Sequence, residues 1–166
     1  MDLTSLNTLL PASAGILFFI QSCYHLGLYR NLYFHSRKEK KETDTPPLSV
    51  ILVAKDAASD LQKNLPFILE QDYPEFELVI VNDCSQDDTE EYLKDLARNN
   101  PKINLVNLTQ NLNFFRGKKF PLSMGIKSAK YDLLLLTDAD CVPNSNQWIR
   151  GMVGAYSNNT EIIVGY

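Results

Sequence analysis

The sequence predicts an α/β protein: a mostly parallel sheet with helices on both faces, preceded by an N-terminal transmembrane helix. Two observations carry the sheet. Short apolar runs rich in Val, Ile and Leu recur at 48–54, 76–81, 103–108 and 131–137, with helically spaced apolar residues between them. Strands joined through helical crossovers pair in parallel, with right-handed connections. A third observation carries the leading helix: residues 9–29 hold no Asp, Glu, Lys or Arg. Roughly 20 apolar residues span a bilayer core as a helix.

The densest part of that leading segment is Ile16-Leu-Phe-Phe-Ile20, and Pro11, Gln21, Ser22 and His25 dilute it. Over 30–41, Arg30, Arg37, Lys38, Lys40 and Lys41 stand against a single Glu39, while only Asp2 is charged before the segment. The charge asymmetry argues against a cleaved signal peptide. By the positive-inside rule it favours a single-pass anchor in the inner (cytoplasmic) membrane, with the rest of the chain in the cytoplasm. A buried or interfacial helix is the alternative. The charged run ends in Pro46-Pro47, which cannot continue a helix. The expected organisation is an anchor over 1–35, a basic, proline-bearing linker over 36–47 and one α/β domain over 48–166.

Within that domain, 48–54 reads as a buried strand. Ser59 opens a helix with Leu61, Leu65, Ile68 and Leu69 on one face and Pro66 as a weak point. A second strand covers 76–81. Asp88-x-x-Glu91 has capping-box spacing, and Tyr92, Leu93 and Leu96 form the face of the helix it starts. A third strand covers 103–108. The next helix covers 117–129, with Pro121 near its first turn, where proline is tolerated. A fourth strand covers 131–137. Asn144 or Ser145 caps a helix carrying Trp148, Ile149 and Met152, and 161–164 begins a fifth strand.

Composition narrows the function classes. Hydrophobic residues make up 45% and charged residues 22%, which excludes a wholly disordered chain. The net charge of −4 argues against a nucleic-acid partner, which calls for a basic face. The three cysteines, Cys23, Cys84 and Cys141, form no CxxC pair and no disulfide framework, which suits a reduced, cytosol-facing setting.

In parallel sheets ligands bind beyond the carboxyl ends of the strands. Three of those ends are polar here. The first strand runs into Lys55-Asp56, the second into Asn82-Asp83-Cys84-Ser85, and the fourth into Thr137-Asp138-Ala139-Asp140. Four leucines leading straight into two carboxylates at i, i+2 is the most informative of the three. Hard oxygen donors at that spacing suit Mg²⁺ or Mn²⁺, which can bridge to a diphosphate. The same pair could instead form an Asx turn or cap a helix. Asp83 could accept from a nucleotide's base or ribose, or merely satisfy a turn. Asp87 and Asp88 read as caps of the next helix. Lys118, just before a helix start, could counter phosphate charge. Two other nucleotide sites are excluded: no GxGxxG follows the first strand, and Gly117-Lys118 lacks the rest of a P-loop. Both histidines lie in or beside the leading segment, so no Ser-His-Asp or Cys-His arrangement is open to the domain.

From Pro47 onward the chain resembles the family 2 glycosyltransferases of GT-A (Rossmann-like) fold. Ser49-Val-Ile-Leu-Val-Ala-Lys-Asp56 is similar to the family's SVIIPARNE. Val79-Ile-Val-Asn-Asp-Cys-Ser85 with Asp87-Asp-Thr89 is similar to VVVDDGSTDDT. Gln71-Asp-Tyr-Pro74 matches QxYP. Gly117-Lys118, Leu122-Ser-Met-Gly125 and Leu136-Thr-Asp-Ala-Asp-Cys-Val-Pro143 match GK…LNxG followed by a DxD strand. Departures are Val53 for the family's Pro, Asp56 for Asn, Asn82 for the first Asp of DDGS and Cys84 for its Gly. The TDADCxP form and the leading segment look most like bacterial membrane-associated members.

The resemblance implies transfer of a sugar from a nucleoside-diphosphate sugar, UDP-sugar favoured, to an unidentified carbohydrate or lipid hydroxyl, with inversion and Mg²⁺ or Mn²⁺. It implies donor binding by Ala54, Asp56, Asp83, Lys118 and Asp138, and metal binding by Asp138 and Asp140. The acceptor-side base, with the QxxRW of processive members, is expected beyond Tyr166. The chain thus reads as a truncated, donor-binding half, inactive alone. Two rival classes are a nucleotidyltransferase, which would release pyrophosphate from a nucleoside triphosphate, and a non-catalytic membrane-tethered nucleotide-sugar-binding module.

Overall fold

The computed structural model describes residues 3–35, 45–109, 117–156 and 161–165. The chain divides into two compact units, Met1–Glu42 and Thr43–Tyr166. The first holds α1, Leu3–His35, a 33-residue helix with Pro11 inside it. Its side chains from Ile16 to Ile20 are all exposed. The expected membrane span falls within α1, yet among the described residues no helix is long and apolar enough to cross a membrane. Residues 36–44 of the expected linker lie outside the described residues.

The second unit runs β1 Leu48–Ala54, α2 Ala58–Leu69, β2 Phe76–Asp83, α3 Thr89–Asn99, β3 Ile103–Leu108, α4 Lys119–Ser128, β4 Leu133–Asp138 and α5 Trp148–Val153. The four strands form one sheet in the order β3-β2-β1-β4. Every pairing is parallel. β1 lies inside the sheet and all seven of its residues are buried. That is why its sequence is a near-continuous apolar run, broken only by Ser49, rather than an alternation.

Side chains alternate between the two faces of a strand. Leu48, Val50 and Leu52 of β1, with Leu78 and Ile80 of β2, join one core with Leu61, Leu65 and Ile68 of α2, Leu93 of α3, and Ile149 and Val153 of α5. Ile51 and Val81 face the other way and meet α4. The expected helices on both faces are present.

Several boundaries differ from the sequence pattern, each for a local reason. β2 extends through Asp83 because β1 and β3 both offer ladder partners there, with Ala54 opposite Asn82 and Leu108 opposite Asp83. β4 starts at Leu133, since the Tyr131 N–H is diverted to Ser49 Oγ at 3.1 Å. The capping box at Asp88 does not form: Asp88 makes no side-chain cap bond. The neighbouring Asp87 takes the Thr89 N–H instead, Oδ1 accepting at 3.1 Å. No fifth strand forms over 161–165, where Ile162 and Val164 are 82% and 83% exposed and no described strand pairs with them.

Gly125 sets how closely α4 approaches the sheet. A Cβ at this position would stand 2.7 Å from Ile51 Cγ2 and 2.9 Å from Val81 Cγ2. Both neighbours are buried and β-branched, so neither can swing aside. Gly125→Ala is expected to cost about 1–3 kcal/mol through overpacking. That exceeds the ~1 kcal/mol of helix propensity it gains. Urea denaturation should show a lower midpoint with unchanged slope; an unchanged or higher midpoint would contradict this packing.

Candidate donor-binding site

The carboxyl ends of β1, β2 and β4 finish level with one another. Val53 is opposite Asp138 and Ala54 is opposite Asn82. The sheet also reverses its order here: β2 and β3 lie on one side of β1 and β4 on the other. Loops that leave neighbouring strands toward opposite faces open a crevice at such a point. A cleft of about 360 Å³ occupies it, lined among others by Lys55, Asp56, Asp60, Asp83, Lys118 and Asp140.

Four hydrogen bonds join the β1–α2 loop to the β2–α3 loop. The Asp56 N–H donates to Ser85 Oγ at 3.0 Å, and Asp56 Oδ1 accepts from the Gln86 N–H at 2.6 Å. The Ala57 N–H donates to Thr89 Oγ1 at 3.0 Å, and the Ala58 N–H to Asp87 Oδ2 at 3.3 Å. Asp87 thereby serves the first turns of both α2 and α3. The Thr89 side chain, helped by backbone N–H groups of Thr89 and Ala58, holds its carboxyl below the ordinary aspartate value. These bonds fix the floor of the cleft before any ligand arrives.

Two residues of these loops take the left-handed region, Asp56 at φ 47° and Cys84 at φ 53°. Aspartate visits this region more readily than most residues, and here the long-range bonds to Ser85 and from Gln86 hold Asp56 in it. Cys84 stands where the resembling family carries glycine, and its φ explains the family's choice. Its thiol lies 3.0 Å from the Leu108 carbonyl. Asn82, also a departure, is buried and accepts from the Ser85 N–H at 3.3 Å. It donates to Asn107 Oδ1 at 3.1 Å. An amide can both donate and accept here, so the loop closes without a charge at this buried position.

Asp138 ends β4, and the Cys141 N–H donates to the Asp138 carbonyl at 3.2 Å. The pair is therefore carried on a turn, Asp138-Ala139-Asp140-Cys141, rather than on one face of a strand. Lys118, at the start of α4, donates to Asp138 Oδ1 at 2.8 Å. This hydrogen bond, backed by the charges of Asp138 and Asp140, holds the Lys118 ammonium above its ordinary value. Gly117, at φ 99°, makes the backbone turn that delivers Lys118 there. Across the cleft Lys55 Nζ stands 3.9 Å from Asp83 Oδ2.

Of the residues singled out in the sequence, Asp56, Asp83, Lys118 and Asp140 line one cleft, and Asp138 adjoins it through Lys118. Ala54 does not reach it: this residue is 0% exposed and belongs to the core. Asp56 has a structural role that the sequence did not reveal, as the acceptor that joins two loops. Ser85 and Thr89 stand in the sequence only as parts of a motif, and Asn64 stands in none. Their roles rest on partners 29, 32 and 75 residues away, and no local pattern announces such bonds. Gln71 was noticed only as part of a motif. It is buried, donates to the Phe67 and Ser145 carbonyls at 2.9 and 2.8 Å, and accepts from the Ile149 N–H at 3.1 Å.

Asp138 and Asp140 offer hard oxygen donors of the kind Mg²⁺ and Mn²⁺ take. Among the described residues no group of three or more His, Cys, Asp or Glu side chains converges to hold an ion. The donor set still fits Mg²⁺ or Mn²⁺ bound by one or two carboxylates together with substrate phosphates and water.

Residues 49–166 match the family described as Glycosyl transferase family 2. The chain belongs to this family. Among curated proteins, it is 31% identical over 133 residues to the poly-beta-1,6-N-acetyl-D-glucosamine synthase of Staphylococcus epidermidis, covering 80% of this chain and 31% of that one. The synthase of the same name from Staphylococcus aureus is 33% identical over 95 residues, covering 57% and 22%. The family 2 chain thus spans about a third or less of the length of these relatives. Among solved structures, the mannosyltransferase PcManGT from Pyrobaculum calidifontis, in complex with GDP-Man and Mn²⁺, aligns with a TM-score of 0.65 and 25% identity. It covers 86% of this chain and 44% of that one. Residues 1–349 of S. aureus TarS, in complex with UDP-GlcNAc, align with a TM-score of 0.56 and 26% identity, covering 63% and 29%. The four-stranded parallel α/β sheet is that of GT-A-like neighbours.

Proposed function

We propose that this chain forms the donor side of an inverting glycosyltransferase, and that a nucleoside-diphosphate sugar, UDP-sugar favoured, binds across the ends of β1, β2 and β4. The observation that carries the reading is the gathering of Asp83, Lys118 and Asp140 around one cleft in a family 2 domain. Two relatives with similar folds hold UDP-GlcNAc, and GDP-Man with Mn²⁺.

In this reading Asp83 accepts a hydrogen bond from the base or ribose. Asp140, with Asp138 beside it, holds Mg²⁺ or Mn²⁺. The bound cation supplies electrostatic stabilisation of charge on the departing diphosphate. Lys118 sits on Asp138 and adds a second positive charge at the same end of the cleft. The acceptor, a carbohydrate or lipid hydroxyl, needs a base to remove its proton, and we assign none of the cleft residues to that role.

The test is calorimetry with a nucleoside diphosphate. Binding should be tighter in millimolar Mn²⁺ than in chelator, and Asp140→Ala should remove the difference. Asp83→Asn, with folding checked by circular dichroism, should weaken binding by about 1–3 kcal/mol, the scale of a hydrogen bond to a charged group. Equal affinity in chelator and in Mn²⁺ would contradict the metal role. Unchanged affinity in Asp83→Asn would reduce Asp83 to a turn residue.

The N-terminal helix, in the same proposal, attaches the domain to the inner (cytoplasmic) membrane from the cytoplasmic side. Its exposed Ile16–Ile20 stretch and the basic residues that follow in the sequence support this. A membrane-impermeant thiol reagent applied to intact cells should leave Cys84 and Cys141 unmodified. Modification without permeabilisation would reverse the orientation.

A further inference from the structure

We infer that Asn64 is a positioning residue for the metal and diphosphate site. Asn64 lies in α2, away from the cleft lining. Its Nδ2 donates to the Ala139 carbonyl at 2.9 Å. Ala139 is the residue between the two carboxylates of Asp138-Ala139-Asp140, so this bond holds the centre of the turn that carries them.

The geometry of a β-turn gives the bond its consequence. In the turn from Asp138 to Cys141, the Ala139–Asp140 peptide is the central one, and the i→i+3 hydrogen bond leaves its carbonyl free. Type I and type II turns differ mainly in which way this central peptide points. A type II turn would require positive φ at Asp140, and among the described non-glycine residues only Asp56 and Cys84 have it. The turn therefore stands in the other orientation, and Asn64 bonds the one carbonyl that reversal would move. The direction of the Asp140 side chain follows that of the peptide joined to it.

A second bond pattern shows that α2 is built for this. Asn64 lies inside α2, and Gln71 stands two residues beyond its end, tied back to it by the bond to the Phe67 carbonyl. Gln71 fastens Ser145 and Ile149 to the lower end of α2, just as Asn64 fastens Ala139 near its middle. The Ala139 side chain also packs against the core. The segment that leaves the carboxylates is thus strapped along α2 at both ends. Asp140, which is exposed and makes no strong bond of its own, takes its aim from this strap.

The inference rests on the donor-site reading above, and the experiment separates the two. Mn²⁺ affinity in the presence of UDP is measured on the full chain by electron paramagnetic resonance, with UDP affinity in chelator measured by calorimetry. Asn64→Ala should weaken Mn²⁺ binding about 10-fold, the lower end for loss of a group that orients a metal ligand. It should leave UDP affinity in chelator unchanged, which a general loosening of the fold would not. Equal Mn²⁺ affinity in parent and variant overturns the positioning role while leaving the donor-site reading intact. Absence of Mn²⁺ binding in the parent overturns the metal reading and this inference with it. If Asn64→Ala does not fold, Asn64→Leu, of similar size and without a donor, decides. Loss of fold in both makes Asn64 a structural residue and overturns the proposal.

Discussion

The site depends on β1 being held between β2 on one side and β4 on the other, all three parallel and ending level. Parallel pairing sends every strand's carboxyl end to the same edge. The reversal of strand order then separates the loops that follow β1 and β4, and the space between them becomes the cleft. β1 suits this position because six of its seven residues are apolar and the Ser49 hydroxyl is hydrogen-bonded to Glu77. Gly125 lets α4 lie close against the same strand and brings Lys118 to Asp138. Packing below the cleft and charge within it are thus consequences of one arrangement.

The cleft is also pre-organised. Its loops are joined to each other by Asp56, Ser85, Asp87 and Thr89, and its carboxylate turn is tied to α2 by Asn64. Individually each bond contributes little, because water competes for the same donors and acceptors. Their shared effect is to fix loop geometry in advance, so that less ordering remains when a ligand binds. The left-handed residues Asp56 and Cys84 lie within these joined loops, where surrounding bonds hold an unfavourable backbone in place.

Much of this was legible in the sequence, and what was not has physical reasons. The four strands and the helices between them announced themselves by apolar runs and helical spacing, because those patterns arise from burial along the chain. The carboxylates at the ends of β2 and β4 were legible because they interrupt such runs. The capping box failed by one residue: Asp87 and Asp88 are chemically alike, and only the α2 N-terminus opposite, which bonds Asp87, distinguishes them. The strand expected at 161–164 has the right residues, but a strand needs a partner, and no described strand supplies one. The bonding roles of Asn64, Ser85 and Thr89 were not legible because they exist only after distant segments meet. Ala54 shows the opposite error, since a strand end can match a motif while its side chain remains in the core.

The central claim is that a nucleoside diphosphate is held where β1, β2 and β4 end. Hydrogen–deuterium exchange of the full chain, with and without UDP and Mn²⁺, tests it most directly. The account predicts slowed exchange at 55–58, 83–87, 117–119 and 139–141, with no change at the opposite edge of the sheet around 71–75 and 129–132. Protection at that opposite edge alone, or none at the strand ends under saturating UDP, would contradict it.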